Sequence, residues 1–166
     1  MSDITSTSPT PSTLVTTVTL RQLQDYRFEI GFGDEVPAII GDEPPPLGSS
    51  TGPSPVQLLA AAVGNCLSDS LLFALRKFKQ SPEPLSCELQ AHVGRNAQGR
   101  NRVMRMQATL TLGVPAASLE HLDRVLVTFE QFCTVTQSVA PAIPVQLIVR
   151  DSTGAELLNH LSLASS

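Results

Sequence analysis

Chemistry in this chain points first to its three cysteines, Cys66, Cys87 and Cys133. A thiol becomes a nucleophile, and a target for peroxides, once it loses its proton. Cys66 stands in the run Gly64-Asn65-Cys66-Leu67-Ser68-Asp69, inside an apolar helical stretch. A free cysteine there packs by default as a small apolar side chain, so a structural and a reactive role both stay open. Cys133 falls between two helical stretches, just ahead of Thr134-Val135-Thr136-Gln137. If Thr134 and Gln137 form a capping box, the thiol lies beside unpaired N–H groups at a positive helix end, which favours the thiolate. Packing at a helix end is the alternative. Cys87, between Ser86 and Glu88 in a strand-like run, is expected to face inward.

Other chemistries lack their residues. His92, His121 and His160 have no carboxylate so placed that a triad is legible, and no G-x-S-x-G occurs. Neither CxxC nor HxxxH spacing is present, and too few ligands stand near either thiol for zinc. Gly94-Arg-Asn-Ala-Gln-Gly99 lacks the Lys and Ser/Thr of a phosphate loop, and its arginines read as a solvated hairpin end. No zinc site is therefore recognisable.

The elements that must position the thiols follow from pattern. Leu14–Leu23 is β-prone, and Tyr26, Phe28, Ile30 and Phe32 alternate as on a half-buried strand, with Gln24-Asp25 as the turn. Val36–Ile40 makes a third short strand. A loop follows to Pro53, stiffened as polyproline II by Pro44-Pro45-Pro46, with Asp42 suited to an Asx-type turn. Ser54, Pro55 and Gln57 then form a helix start with a capping box. The helix runs to about Phe78, apolar nearly all round, and a domain of this size can hardly cover it without a partner subunit. Leu85–Val93 and Arg102–Val114 read as a hairpin. Pro115–Phe132 reads as a second helix, with Leu119, Leu122, Leu126, Phe129 and Phe132 on one stripe. Val145–Val149 is a last strand, and residues 155–166 are expected to be a short helix or a loose tail. The order β-β-β-α-β-β-α-β is that of an α+β fold.

The chain has 166 residues, 42% of them hydrophobic, which predicts one domain over residues 14–166 behind a flexible Ser/Thr/Pro arm at 1–13. A net charge of -4 argues against nucleic-acid binding and polybasic membrane contact. No uninterrupted run of 18 apolar residues occurs, so no membrane span is expected. The N-terminus lacks the basic start and apolar stretch of a secretory signal. The expected compartment is the reducing cytoplasm, where a cysteine that matters is more often catalytic or redox-sensing than structural.

Two segments together resemble the OsmC/Ohr superfamily, and its OsmC-like branch in particular. Gly52-Pro-Ser-Pro-Val-Gln-Leu-Leu-Ala-Ala-Ala-Val-Gly-Asn-Cys66 is similar to that family's first helix signature. Phe129-Glu-Gln-Phe-Cys133-Thr-Val-Thr-Gln-Ser-Val139 is similar to its second, at a Cys–Cys interval of 67 positions. The resemblance implies an intertwined homodimer with sites at the subunit interface. It also implies cysteine-based peroxidase chemistry on hydroperoxides, with Cys66 oxidised first, a Cys66–Cys133 disulfide formed next, an external dithiol as reductant and no metal or organic cofactor. Leu59, Val63 and Phe132 would line the site for an apolar peroxide. The family's peroxidases carry a Glu nine or ten places before the first Cys, paired with an activating Arg; here Gln57 and Val56 stand at those places. Arg27, ahead of Arg21, is the candidate for the Arg. Loss of that Glu leaves a competing reading, a non-enzymatic OsmC-like dimer that binds a small apolar ligand or senses oxidants.

Overall fold

The computed structural model describes residues 13–162, so most of the expected arm and residues 163–166 lie outside the described residues. The chain forms two compact units, residues 1–52 and 53–166.

In the N-terminal unit three strands form an antiparallel meander: β1 (Thr19–Gln24), β2 (Arg27–Gly31) and β3 (Ile39–Gly41). β1 starts at Thr19 rather than Leu14, because its partner ends at Gly31, opposite Thr19, and leaves the preceding residues nothing to pair with. The turn falls one residue later than expected, on Asp25-Tyr26, with Asp25 left-handed at φ 50°. Aspartate enters that region at little cost, and Gln22 Nε2 donates to the Asp25 carbonyl at 3.0 Å. Asp42 organises the loop after β3. Its carboxylate, 3% exposed, accepts from the N–H groups of Glu43 (2.9 Å), Ser49 (3.1 Å) and Thr51 (3.0 Å) and from the Thr51 hydroxyl (2.8 Å). The N–H groups of Leu47 and Gly48 both donate to the Pro44 carbonyl, so the three prolines turn rather than extend as polyproline II. At Gly52 a Cβ would stand 1.9 Å from the Ile40 carbonyl oxygen, so only glycine lets the loop return against β3.

In the C-terminal unit the first helix, α1 (Pro55–Lys77), starts as expected. Ser54 accepts from Gln57 N–H, and the Gln57 side chain accepts from Ser54 N–H at 2.8 Å. An 18-residue window of α1 has a mean hydropathy of 1.7, enough by length and composition alone to cross a membrane, a test that the core helix of a soluble domain also passes. Asn65, Ser68 and Asp69 break the run, but the surrounding Leu and Ala outweigh them in the average. In the fold, Val63, Leu67, Leu71 and Leu75 form a buried stripe packed on the sheet.

That sheet has the order β4-β5-β6-β7: β4 (Ser86–Arg95), β5 (Asn101–Thr111), β6 (Val145–Arg150) and β7 (Glu156–Ser162). The β4–β5 and β6–β7 pairs are antiparallel, whereas β5 and β6 run parallel. A parallel pair needs a long crossover, and residues 112–144 supply it. Met106, Ala108 and Leu110 of β5 and Val145, Leu147 and Val149 of β6 alternate into the core beneath α1. Two expectations are corrected here. Residues 156–162 form a strand, not a helix or tail, because β6 offers an open edge and Val145–Arg150 pairs with it. Residues 115–132 are not one helix but a 3-10 turn at Ala116–Ser118, α2 (Leu122–Thr128) and a second 3-10 turn at Phe129–Phe132. His121, left-handed at φ 59°, separates the first two. A short α3 (Thr134–Val139) follows and ends before Pro141. The architecture is α+β, with one strand more than the sequence suggested, and α3 is the short helix expected after Cys133.

Candidate functional site

Cys66 projects from the middle of α1, half-buried; Cys133 is fully buried where the second 3-10 turn meets α3. α1 packs against both that turn and α3, and this brings the two thiols together within one chain. Cys66 stands close enough to Cys133 to raise the Cys133 pKa, and both cysteines are free thiols.

Cys133, not Thr134, caps α3. Its sulfur accepts from Thr136 N–H at 3.4 Å, and its thiol lies 3.0 Å from the Thr136 hydroxyl. The helix end was expected to favour a thiolate at Cys133; the structure opposes this. Burial pushes the Cys133 thiol up to about 11, and the neighbouring Cys66 thiol adds to the rise. The two bonds from Thr136 offset only part of it. Desolvation wins because the sulfur has no water contact and α3 is a single short turn and a half. Cys133 therefore keeps its proton at neutral pH.

The sequence-predicted neighbours are distributed unevenly. Leu59 is half-buried beside the core, and Val63 is fully buried in it. Phe132 turns outward, 56% exposed, with Lys77 Nζ 5.4 Å from its ring, because the 3-10 turn breaks the helical stripe it was expected to share. Gln57 is engaged in the α1 cap, and nine residues of helix place it about 13 Å along the axis and about half a revolution away from Cys66. It lines instead a groove of about 480 Å³ with Ser68, Cys87 and Leu89. Cys87 lines that groove, and burial raises its pKa against the opposing effect of the nearby Ser68 hydroxyl. Arg27 opens β2 in the N-terminal unit, beside Asp25, Asp42 and Ser49, and makes no ion pair among the described residues. Arg21 is paired with Glu29 across the strands at 3.0 Å.

Sequence reasoning missed Thr136, which is fully buried and touches Cys133. A Cys-x-x-Thr cap was legible at that place, but it sits one residue upstream of the Thr-x-x-Gln pattern that was followed. No cluster of His, Cys, Asp and Glu suited to a metal ion occurs among the described residues.

Residues 48–148 match the family model of OsmC-like proteins. Among solved structures, the chain is similar to an OsmC-like protein of unknown function from Vibrio cholerae, at 15% identity over 82% of this chain and 99% of that one, with a TM-score of 0.70. It is similar to an organic hydroperoxide resistance protein from Elizabethkingia anophelis with thiocyanate bound, at 14% identity over 86% and 100%, TM-score 0.69. It is also similar to the organic hydroperoxide resistance protein OhrB of Bacillus subtilis, at 17% identity over 82% and 98%, TM-score 0.63. Identities this low speak for the fold alone. Comparison with curated proteins gives no match. The family match takes in more than half of the chain and both members of the thiol pair: this chain belongs to the OsmC-like protein family.

Proposed function

We propose that this chain is a thiol peroxidase that reduces hydroperoxides, organic ones among them, with Cys66 as the attacking sulfur and Cys133 as the resolving one. The observation that carries the reading is the proximity of two free thiols that stand 67 positions apart in sequence, brought together by the packing of α1 on the turn and α3. A Cys66 thiolate attacks the peroxide; the O–O bond breaks, alcohol or water leaves, and Cys66 becomes a sulfenic acid. Cys133 then attacks that sulfur, the S–S bond forms and the S–O bond breaks. The leaving hydroxide takes the Cys133 proton and departs as water. A resolving thiol with its pKa raised suits this order, because it holds its proton until a base appears beside it. An external dithiol restores both thiols by exchange. No metal or organic cofactor enters this scheme. The working unit is a homodimer in this reading: Leu20 and Leu23 on β1 and Phe73 on α1 are exposed apolar side chains for a second copy to cover.

A second reading is a non-enzymatic OsmC-like dimer that binds a small apolar ligand or senses oxidants. The engagement of Gln57 in a helix cap, where a Glu was expected of a peroxidase, favours it. Treating the reduced protein with equimolar cumene hydroperoxide and counting free thiols separates the two. The peroxidase reading expects both thiols to disappear, and the disulfide to be lost in Cys66→Ser and in Cys133→Ser. Unchanged thiols in the parent chain would leave the binding reading.

A further inference from the structure

Glu130 reaches in two directions. It lies in the 3-10 turn directly before Cys133, and its carbonyl accepts from Cys133 N–H at 2.9 Å. The same carbonyl accepts from Gln137 Nε2 at 3.4 Å, from within α3. Its carboxylate points the other way, toward β7. There it accepts from the Ser162 hydroxyl and faces His160 Nε2 at 3.6 Å. The Glu130 side chain is only 15% exposed, and Ser162 is buried. Ser162 and His160 stand two apart on one strand and so share a face, in register with Val145 and Leu147 of β6. α3 has six residues, too few to hold a conformation by its own hydrogen bonds. The segment carrying Cys133 therefore depends on tertiary anchors, and Glu130 is one that touches it by main chain and the sheet by side chain.

We propose that Glu130 is a positioning residue for Cys133: by tying the turn that carries this thiol to β7, it holds the Cys133 sulfur against Cys66 for disulfide closure. The inference rests on the peroxidase reading for the chemistry that closure serves, but not for its geometry. In closure the thiol pair loses two electrons and two protons to the oxidant. With peroxide these go to alcohol and water through the Cys66 sulfenic acid; with diamide, a diazene, they reduce the N=N bond to a hydrazine. Glu130 touches neither the oxidant nor the reacting sulfurs.

The test follows both steps on the full chain. Reduced protein is mixed with equimolar cumene hydroperoxide and quenched over time. A dimedone trap reports the Cys66 sulfenic acid, and alkylation with mass analysis reports the disulfide. Glu130→Ala is expected to change sulfenic acid formation by less than about twofold and to slow disulfide closure by about tenfold or more, with dimedone adduct accumulating at Cys66. Glu130→Gln keeps an oxygen that accepts from Ser162, and should recover most of the closure rate. Ser162→Ala should slow closure to an intermediate degree, and with Glu130→Gln it serves if Glu130→Ala does not fold. Closure by diamide is measured in parallel on every variant. A parent chain that ignores peroxide ends the peroxidase reading and leaves the diamide rates to judge the clamp. Equal diamide and peroxide closure in the parent and Glu130→Ala, or a parallel loss of both peroxide steps, overturns the proposal.

Discussion

The thiol of Cys133 lies 3.0 Å from the hydroxyl of Thr136, three residues into a helix that Cys133 itself caps. One sulfur is thus both a backbone cap and the neighbour of Cys66. The cap orients it and burial keeps it protonated, while the bonds from Thr136 favour its charged form.

Thr136→Val keeps the side-chain volume and the backbone N–H but removes the hydroxyl. The Cys133 thiol should then titrate higher than in the same background with Thr136 kept, since a bond that lowers its pKa is lost. Thiolate ultraviolet absorbance against pH, in a variant that also carries Cys66→Ser and Cys87→Ser, checks the direction. The added Cys66→Ser alone should lower the starting value, and so serves as the reference.

Alkylation of the native reduced protein should reach Cys133 last. A thiol held near 11 is almost wholly protonated at pH 8, and its labelling rate should rise about tenfold per pH unit until the pH approaches that value. Iodoacetamide labelling with peptide mapping across that range tests it. Fast labelling of Cys133 at neutral pH would contradict the burial seen here.

Asp151 joins the β6–β7 turn to the start of the crossover. Its carboxylate accepts from Thr153 N–H (2.9 Å), Thr153 hydroxyl (2.6 Å), Ala155 N–H (3.1 Å) and Ala116 N–H (2.9 Å). These bonds, the Thr153 hydroxyl foremost, lower its pKa to about 2. A carboxyl depressed in the folded state stabilises above its unfolded value near 4, and that contribution is lost as pH falls from there through about 2. Asp151→Asn should lower Tm at pH 7 and show a smaller fall in Tm between pH 4 and pH 2 than the parent. Thermal scans across that window decide it.

Leu71 is fully buried between α1 and the sheet. Leu71→Ala should cost about 2–5 kcal/mol of unfolding free energy, from lost transfer and the cavity left behind. Ser54→Ala, which removes half of the α1 capping box, should cost about 1 kcal/mol. Urea titrations of the two variants should keep that order.

The local signals in this sequence were dependable where one element sufficed to express them. Ser54, Pro55 and Gln57 specify the start of α1 because a capping box is a contact among near neighbours. The alternation through Phe28 and Ile30 announces β2 for the same reason, and Asp42 announces its loop. The two family signatures mark both cysteines because each is a contiguous run. What failed were boundaries set by distant partners. β7 forms because β6 offers it an edge, β1 is short because β2 ends, and the stripe from Leu119 to Phe132 is cut by a left-handed His121 and a 3-10 turn. The protonation of Cys133 belongs with these. The charge pattern of a helix end argued for a thiolate, and only packing shows that the sulfur is dry and faces a second thiol. Desolvation depends on every neighbour in space, and that information is not carried by any short stretch of chain.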